Sequence, residues 1–337
     1  MIRNPNWIGD AVMTTPAMAL IRQHFPQAEI TVVAKPLVAE LFSNHPDCNR
    51  VLVYNRQRGS KGINGFLRFC LQLRRENFDL AILFQNAFEA ALMAKLAGIK
   101  YRAGYNTDGR GWLLNCRVTI NPSTRRLHHT DYYLNLIDKL SLTSSNEKPP
   151  LTLTPSAEEL REAVNKLGSG SWIAINPGAS YGAAKRWFPQ RFAAVADRLI
   201  SSRGVKVVLI GSPGESQIGR DIITASKKPL LNLIGQTTVR QMMAIIATAK
   251  LIITNDSGPM HVAAAVKTPI VAIFGPTDET TTAPLSNACI LLRHKISCAP
   301  CLLRQCPRDH QCMKAITAAE VYAAAAGLLE QNENSAG

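Results

Sequence analysis

Short apolar segments alternate with helical patterns twice along the chain, and this alternation constrains the fold more than any other feature of the sequence. The segments are rich in Val, Ile and Leu, as buried parallel strands are. They span residues 30–34, 50–54, 79–84, 171–176, 205–210, 231–234, 251–254 and 270–274. Strands of this kind, each followed by a helix, pair into a parallel sheet that helices cover on both faces. The sequence therefore predicts an α/β fold with two doubly wound, Rossmann-like domains.

A stretch rich in Ser, Thr and Pro, residues 142–155, separates the two series of strands and helices. We interpret it as a linker, which predicts an N-terminal domain of 1–148 and a C-terminal domain of 149–337. Two such domains in succession leave a cleft between them, and ligands bind at the carboxyl ends of the strands. The first strand is short, because only Met1 and Ile2 precede Arg3. We therefore expect that two or three apolar residues are missing from its start.

The stretch from Ile252 to Ala265 is the strongest candidate for the chemical centre. An apolar strand leads into the polar turn Thr254–Gly258, and Pro259 then suits the first turn of a helix. A strand, a tight turn and a helix together direct backbone N–H groups and the positive end of the helix dipole at an anion. The alternative is an ordinary connection with Asp256 or Ser257 as the N-cap.

Three further loops follow predicted strands. Asp10 comes after Gly9 at the start of the first helix, Lys185 follows the loop 176–180, and Glu215 ends the loop after the strand 205–210. A glycine turn with a cation can hold a phosphate, and an acid can bind a ribose diol. The alternatives are a helix-starting acid for Asp10 or Glu215 and a solvated charge for Lys185. Neither glycine loop has dinucleotide or P-loop spacing, which disfavours hydride transfer and NTP hydrolysis.

The net charge of +14 points to anionic partners, which include nucleic acid, an acidic lipid surface and phosphorylated substrates. The positive excess is spread over both halves without a long basic tail, so we disfavour nucleic acid. No apolar run reaches the roughly 20 residues of a membrane helix, and the N-terminus does not resemble a signal peptide. We therefore expect a cytoplasmic protein.

Four cysteines lie close together near the C-terminus: Cys298, Cys301, Cys306 and Cys312. Clustered thiols in a reducing compartment suggest a structural zinc site rather than disulfides. The spacing does not match a standard zinc finger, and reduced cysteines in an ordered loop are the alternative.

Three ordered motifs carry a resemblance to a known family. They are PNWIGDAVM at 5–13, the stretch 176–189, and TNDSGPMHVAAA at 254–265. Together they resemble the ADP-heptose:lipopolysaccharide heptosyltransferases over essentially the whole chain, and the PNWIGD form is most similar to the heptosyltransferase II members. The resemblance implies a GT-B fold that binds the acceptor on the N-terminal domain and the ADP-sugar on the C-terminal domain. It also implies that the final helix, 317–329, crosses back onto the N-terminal domain.

The resemblance also implies roles for individual residues. Asp10 matches the catalytic base, and Lys185 matches the lysine that binds the donor phosphates. Glu215 matches an acid that contacts the ribose. Thr237 falls where the family has a residue that contacts the adenine side of the donor. The donor-binding motif corresponds to Asp256, Ser257, Gly258 and His261.

The resulting expectation is an inverting transfer of L-glycero-D-manno-heptose from ADP-heptose onto the first heptose of the lipopolysaccharide inner core. Catalysis is expected to need no metal or other cofactor. The acceptor is a lipid-linked core oligosaccharide, so peripheral contact with the inner face of the inner membrane is expected. One alternative is a heptosyltransferase of the same family with a different acceptor. Another is a zinc-bearing nucleic-acid-binding protein, although aromatic and basic residues do not interleave.

Overall fold

A computed structural model describes residues 1–55, 62–143 and 147–335. The chain divides into two compact units, Met1–Thr154 and Pro155–Gly337. The division falls within the predicted linker, a few residues after the predicted boundary at 148; residues 144–146 of that linker lie outside the described residues.

The described part of the first unit contains one six-stranded parallel sheet with the order β3-β2-β1-β4-β5-β6. The strands are β1 Ile2–Arg3, β2 Thr31–Ala34, β3 Arg50–Val53, β4 Leu80–Leu83, β5 Tyr101–Tyr105 and β6 Cys116–Val118. The short β1 lies at the centre and pairs with both β2 and β4. Its neighbours extend the ladder, because the Met1 carbonyl accepts from Ile82 N–H and Asn4 N–H donates to the Val33 carbonyl.

The described part of the second unit repeats this arrangement in the order β12-β11-β10-β7-β8-β9. Its strands are β7 Trp172–Asn176, β8 Lys206–Leu209, β9 Leu231–Asn232, β10 Leu251–Asn255, β11 Ile270–Ile273 and β12 Cys289–Leu292. In the first sheet the strand order reverses between β1 and β4, and in the second sheet it reverses between β7 and β10. The prediction of an α/β fold with two Rossmann-like domains is confirmed.

Helices connect the strands of both sheets. In the first unit they are α1 Ile8–Met13, α2 Thr15–His24, α3 Pro36–Ala39, α4 Gly62–Arg75, α5 Phe88–Leu96 and α6 His129–Lys139. In the second they are α7 Ala157–Leu167, α8 Pro189–Arg203, α9 Ser216–Ala225, α10 Val239–Thr248, α11 Gly258–Ala265, α12 Glu279–Thr282, α13 Gln311–Ala315 and α14 Ala318–Ser335. Short 3-10 turns lie at Glu40–Phe42, Gly111–Leu113, Thr124–Arg126, Ala183–Lys185 and Pro213–Glu215.

The final helix α14 packs within the second unit. Val321, Ala325 and Leu328 are buried in the same core as Phe192 of α8 and Ile253 of β10. The described helix therefore covers the sheet of its own unit. The expectation that this helix also crosses back onto the first unit stays a prediction.

Burial explains why these segments form strands and helices. All residues of β7 and β10 are buried, as expected for central parallel strands that are covered on both faces. Within the described residues, no helix combines the length and the apolar character that are needed to cross a membrane.

Candidate active site

The first unit has a cavity of about 800 Å³ at the carboxyl ends of its central strands. Loops that follow β1, β4 and β5 meet there, as the reversal of strand order requires. The lining comprises Pro5, Asn6, Trp7, Asp10, Phe84, Gln85, Asn86, Asn106, Thr107, Asp108, Gly109, Ile120, Arg125, Leu127, His129, Tyr132 and Tyr133. The mixture of aromatic and hydrogen-bonding side chains is suited to a sugar, which presents hydroxyl groups and flat C–H faces.

Asp10 lies on the wall of this cavity, in the first turn of α1. Its Oδ1 atom is 3.0 Å from Nδ1 of His129, the first residue of α6. The sequence analysis singled out Asp10 but missed His129. The spacing of the two residues along the chain carries no signal of their contact, because α6 reaches α1 only through tertiary packing.

Two tyrosines of α6 complete the polar wall around this pair. The Tyr132 hydroxyl accepts a hydrogen bond from Asn86 Nδ2 at 2.5 Å. Burial raises the pKa of Tyr132 above its usual range. Burial raises the pKa of Tyr133 well above its usual range, and the negative charge of Asp10 adds to the rise. Both phenols therefore stay neutral at physiological pH, so the cavity groups able to accept a proton are Asp10, His129 and the exposed Asp108.

A buried arginine fixes two of the loops that line the cavity. Arg110 is fully buried. Its guanidinium donates to the carbonyls of Gln85 and Tyr105 and to Asn86 Oδ1. Burial lowers the pKa of Arg110 to about 10, so the side chain stays charged at neutral pH. The loops after β4 and β5 are thus held to one charged group behind the cavity wall.

In the second unit, two asparagines link the carboxyl ends of the neighbouring strands β7 and β10. Asn176 Nδ2 donates to Ser257 Oγ at 2.8 Å and to Thr254 Oγ1 at 3.1 Å. Asn255 Nδ2 donates to the Pro177 carbonyl at 2.8 Å, and its Oδ1 accepts from Trp187 N–H. These bonds hold the loop after β7 against the polar turn after β10.

The two loops bring Lys185 and Asp256 together. Lys185 Nζ is 2.6 Å from Asp256 Oδ2, and both side chains are largely buried. The Thr277 hydroxyl donates to the same oxygen at 2.7 Å. Lys185 also lies over the ring of Tyr181, 4.9 Å from its centroid. A buried lysine and a helix N-terminus at one strand edge form a site for an anion such as a pyrophosphate.

Ser257 occupies the N-cap position of α11, but its hydroxyl is bonded elsewhere. It accepts from Asn176 and lies 3.2 Å from Thr254 Oγ1. Among the described residues, no side-chain hydrogen bond caps this helix. Ser257 is thus the N-cap by position, as the alternative predicted, but its hydroxyl does not cap the helix. Gly258 begins α11, and His261 is buried within it.

Glu215 and Thr237 follow β8 and β9, which continue the same edge of the sheet. Glu215 is buried, and its Oε2 atom accepts from the backbone N–H and the hydroxyl of Ser212. A Cβ on Gly178 would lie 1.9 Å from Glu215 Oε1, so a side chain at this position would displace the Glu215 carboxylate. Thr237 precedes Thr238, the N-cap of α10. The structure therefore places Glu215 beside the loop that leads to Lys185, with one oxygen engaged in a helix cap.

The cysteine-rich segment packs against the same loops. The Tyr181 hydroxyl donates to the Leu302 carbonyl at 2.8 Å, and Ala184 N–H donates to the Arg304 carbonyl at 3.0 Å. Cys301 N–H donates to the carbonyl of Pro276, the residue before Thr277. The segment is thus bound by hydrogen bonds to the loop that carries Lys185.

The four clustered cysteines lie between the end of β12 and the start of α14. Within the described part of the chain, no group of three or more His, Cys, Asp or Glu side chains is positioned to hold a metal ion. Burial raises the pKa of the Cys312 thiol, and Cys298, Cys306 and Cys301 contribute to the rise. Structural zinc stays a prediction, and elemental analysis of the purified chain would test it.

Thr277 is a second contact that the sequence analysis missed. It follows β11, so the rule that ligands bind at the carboxyl ends of strands could have singled it out. Its hydroxyl orients the Asp256 carboxylate, which in turn holds Lys185.

Comparison with known proteins gives these sites a context. The model of the family glycosyltransferase family 9 (heptosyltransferase) matches residues 66–311. Lipopolysaccharide heptosyltransferase 2 of Escherichia coli is 32% identical over 304 residues, which cover 87% of each chain. Lipooligosaccharide heptosyltransferase 2 of Campylobacter jejuni is 31% identical over 93% of each chain. The solved structure of the E. coli ADP-heptose lipopolysaccharide heptosyltransferase II superposes with a TM-score of 0.86 at 29% identity, covering 98% of each chain.

Two Rossmann-like units, an anion site at a strand edge and these similarities define a glycosyltransferase of the GT-B fold. The chain belongs to glycosyltransferase family 9, the heptosyltransferase family. The alternative of a nucleic-acid-binding protein is therefore not favoured.

We expect Thr277→Val to destabilise the second unit by about 1.5–3 kcal/mol, because the buried Asp256 carboxylate loses a hydrogen bond while the volume is retained. Thr277→Ser keeps the hydroxyl and is the matched control. Urea unfolding measures the free energy of unfolding of both variants. Equal stability of the two would show that the hydroxyl does not stabilise the carboxylate.

Proposed function

We propose that this chain transfers L-glycero-D-manno-heptose from ADP-heptose onto the first heptose of the lipopolysaccharide inner core, with inversion and without a metal. The observation that carries the proposal is the Lys185–Asp256 ion pair beside the N-terminus of α11. The relatives support the choice of sugar and acceptor, since their names describe heptosyltransferase 2 enzymes that act on lipopolysaccharide or lipooligosaccharide.

On the donor side, the leaving ADP gains negative charge as the bond from the sugar to phosphate breaks. Lys185 and the backbone N–H groups at the start of α11 would stabilise that charge more strongly in the transition state than in the ground state. Asp256 and Thr277 hold the lysine in place. Glu215 and Thr237 are proposed to contact the ribose and adenine, and Ser257, Gly258 and His261 to complete the donor site.

On the acceptor side, the hydroxyl that attacks the anomeric carbon must lose its proton. Asp10 lies on the wall of a cavity that is large enough for sugars, and its carboxylate is proposed to promote this loss of the proton. The lining includes Trp7, whose ring is half-exposed and could stack on a sugar face.

The direct test is an assay of the purified chain with ADP-heptose and two defined acceptors. One acceptor carries a single inner-core heptose, and the other lacks heptose. Transfer to the first acceptor alone is the expected result. Transfer only to an acceptor without heptose, or only to one with further sugars, would favour the alternative of a same-family enzyme with a different acceptor.

We expect Lys185→Ala to lower kcat strongly and to change the KM for ADP-heptose less, because the positive charge matters most as ADP leaves. Lys206→Ala is the matched control, since Lys206 begins β8 at the amino edge of the same sheet. Steady-state kinetics of both variants measure the effect. A rise in KM at unchanged kcat would show that Lys185 contributes only uniform binding.

We expect Asp10→Asn to lower kcat by about 10²- to 10⁴-fold while ADP binding and the fold are retained. The amide keeps the size of the side chain but cannot serve in proton removal. If Asp10 only favours the start of α1, the variant should instead lose about 1 kcal/mol of stability and turn over normally. Measuring kcat and the melting temperature of this one variant separates the two roles.

Peripheral attachment to the cytoplasmic face of the inner membrane is also part of the proposal. The net charge of +14 supports it, because anionic lipid surfaces attract basic proteins. We expect the protein to float with vesicles that contain anionic lipids and to be released as salt rises, whereas vesicles of neutral lipid should not retain it. Binding that resists salt would indicate a hydrophobic anchor instead.

A further inference from the structure

The contact between Asp10 and His129 defines the tautomer of the histidine. A carboxylate oxygen only accepts hydrogen bonds, so a bond at 3.0 Å between Asp10 Oδ1 and His129 Nδ1 requires the hydrogen on Nδ1. In the neutral ring, the lone pair able to accept a proton is then on Nε2. The side chain of His129 is 44% exposed on the cavity wall and that of Asp10 is 27% exposed, so the imidazole is the more accessible of the two.

The geometry of the pair favours the imidazole as the group that takes the proton. The Nδ1–H of His129 donates to Asp10 Oδ1, so this oxygen of the carboxylate is already engaged. The negative charge beside the ring stabilises the positive imidazolium that forms when Nε2 gains a proton.

We propose that Asp10 and His129 act as a dyad in which His129 Nε2 removes the proton from the acceptor hydroxyl and Asp10 orients and stabilises the imidazole. This proposal rests on the proposed function and refines its acceptor side. The acceptor O–H bond breaks and its proton goes to Nε2. The freed electron pair on oxygen forms the new bond to the anomeric carbon, while the bond from that carbon to the phosphate oxygen breaks and its electron pair leaves with ADP.

Other titratable and charged groups surround the dyad. Asp108, Arg125, Tyr132 and Tyr133 line the same space, and both tyrosines have raised pKa values through burial. Asp131, also on α6, is paired with Lys148 at 2.7 Å. Arg126 lies in the 3-10 turn that packs against α6 and is exposed.

Two substitutions separate proton acceptance from positioning. The amide nitrogen of His129→Asn lies near the position of Nδ1 and can still donate to Asp10, but the variant has no group at Nε2. The amide of His129→Gln reaches the Nε2 position but contains no base. If His129 removes the proton, both variants should lose about 10²- to 10⁴-fold in kcat with unchanged KM for ADP-heptose. The double variant Asp10→Asn/His129→Asn should lose little more than either single variant, because the two residues act as a unit.

The pH profile provides a readout that a structural role would not change. The wild-type kcat/KM should fall at low pH over the range in which imidazoles gain a proton, since Nε2 must be neutral to act. This limb should be absent from both His129 variants. Loss of activity with the limb unchanged would overturn the assignment, because another group would then be the one that titrates.

His294→Gln is the matched control. His294 Nε2 is 2.8 Å from Glu320 Oε1 and the side chain is also 44% exposed, so this variant removes a similar imidazole–carboxylate pair from the second unit. Its activity should equal that of the wild type. Melting temperature and ADP binding of each variant confirm that the fold is retained.

A measurement independent of turnover tests the tautomer. Nitrogen NMR of the wild-type chain should show neutral His129 with its hydrogen on Nδ1. A hydrogen on Nε2, or full activity of His129→Asn, would overturn the dyad while leaving the heptosyl transfer intact. A wild-type chain that is inactive with every defined acceptor would instead overturn the proposed function and the dyad with it.

Discussion

The reversal of strand order at the centre of each parallel sheet is the constraint on which both sites depend. Connections from β1 and β4, or from β7 and β10, leave in opposite directions, so their loops open a crevice at the carboxyl edge. In the first unit that crevice is the cavity with Asp10 and His129. In the second unit the same position holds the Lys185–Asp256 pair. One topology thus produces two sites of different chemistry.

Buried polar side chains keep these crevices in shape. A loop that lines a cavity has backbone groups that neither helix nor strand satisfies, and Arg110 and Asn255 bind such groups in the first and second unit respectively. Asp256 is buried with two donors, Lys185 and Thr277, which makes its negative charge tolerable away from water. The rigidity of each site therefore comes from hydrogen bonds just behind its surface.

Local patterns predicted most of the fold, because strands and helices of an α/β domain are specified by their own residues. β10 begins at the predicted residue 251 and ends one residue after the predicted strand. Three strands, β5, β6 and β12, and the helix α7 were missed. β5 has an exposed end at Tyr101 and a glycine inside it, and β6 contains the exposed Arg117, so neither shows a continuous apolar run. β5 pairs with β4 and β6 pairs with β5, and this pairing rather than an intrinsic pattern makes them strands.

The sequence by itself determined the fold class, the linker and the loops that carry Asp10, Lys185 and Asp256, because each depends on periodicity or on residues that are adjacent in the chain. Only the tertiary structure decided which side chains meet. The contact between Asp10 and His129 joins residues that are 119 positions apart. It also placed α14 in the core of its own unit. Contacts of this kind follow from how helices pack on a sheet, which no local pattern records.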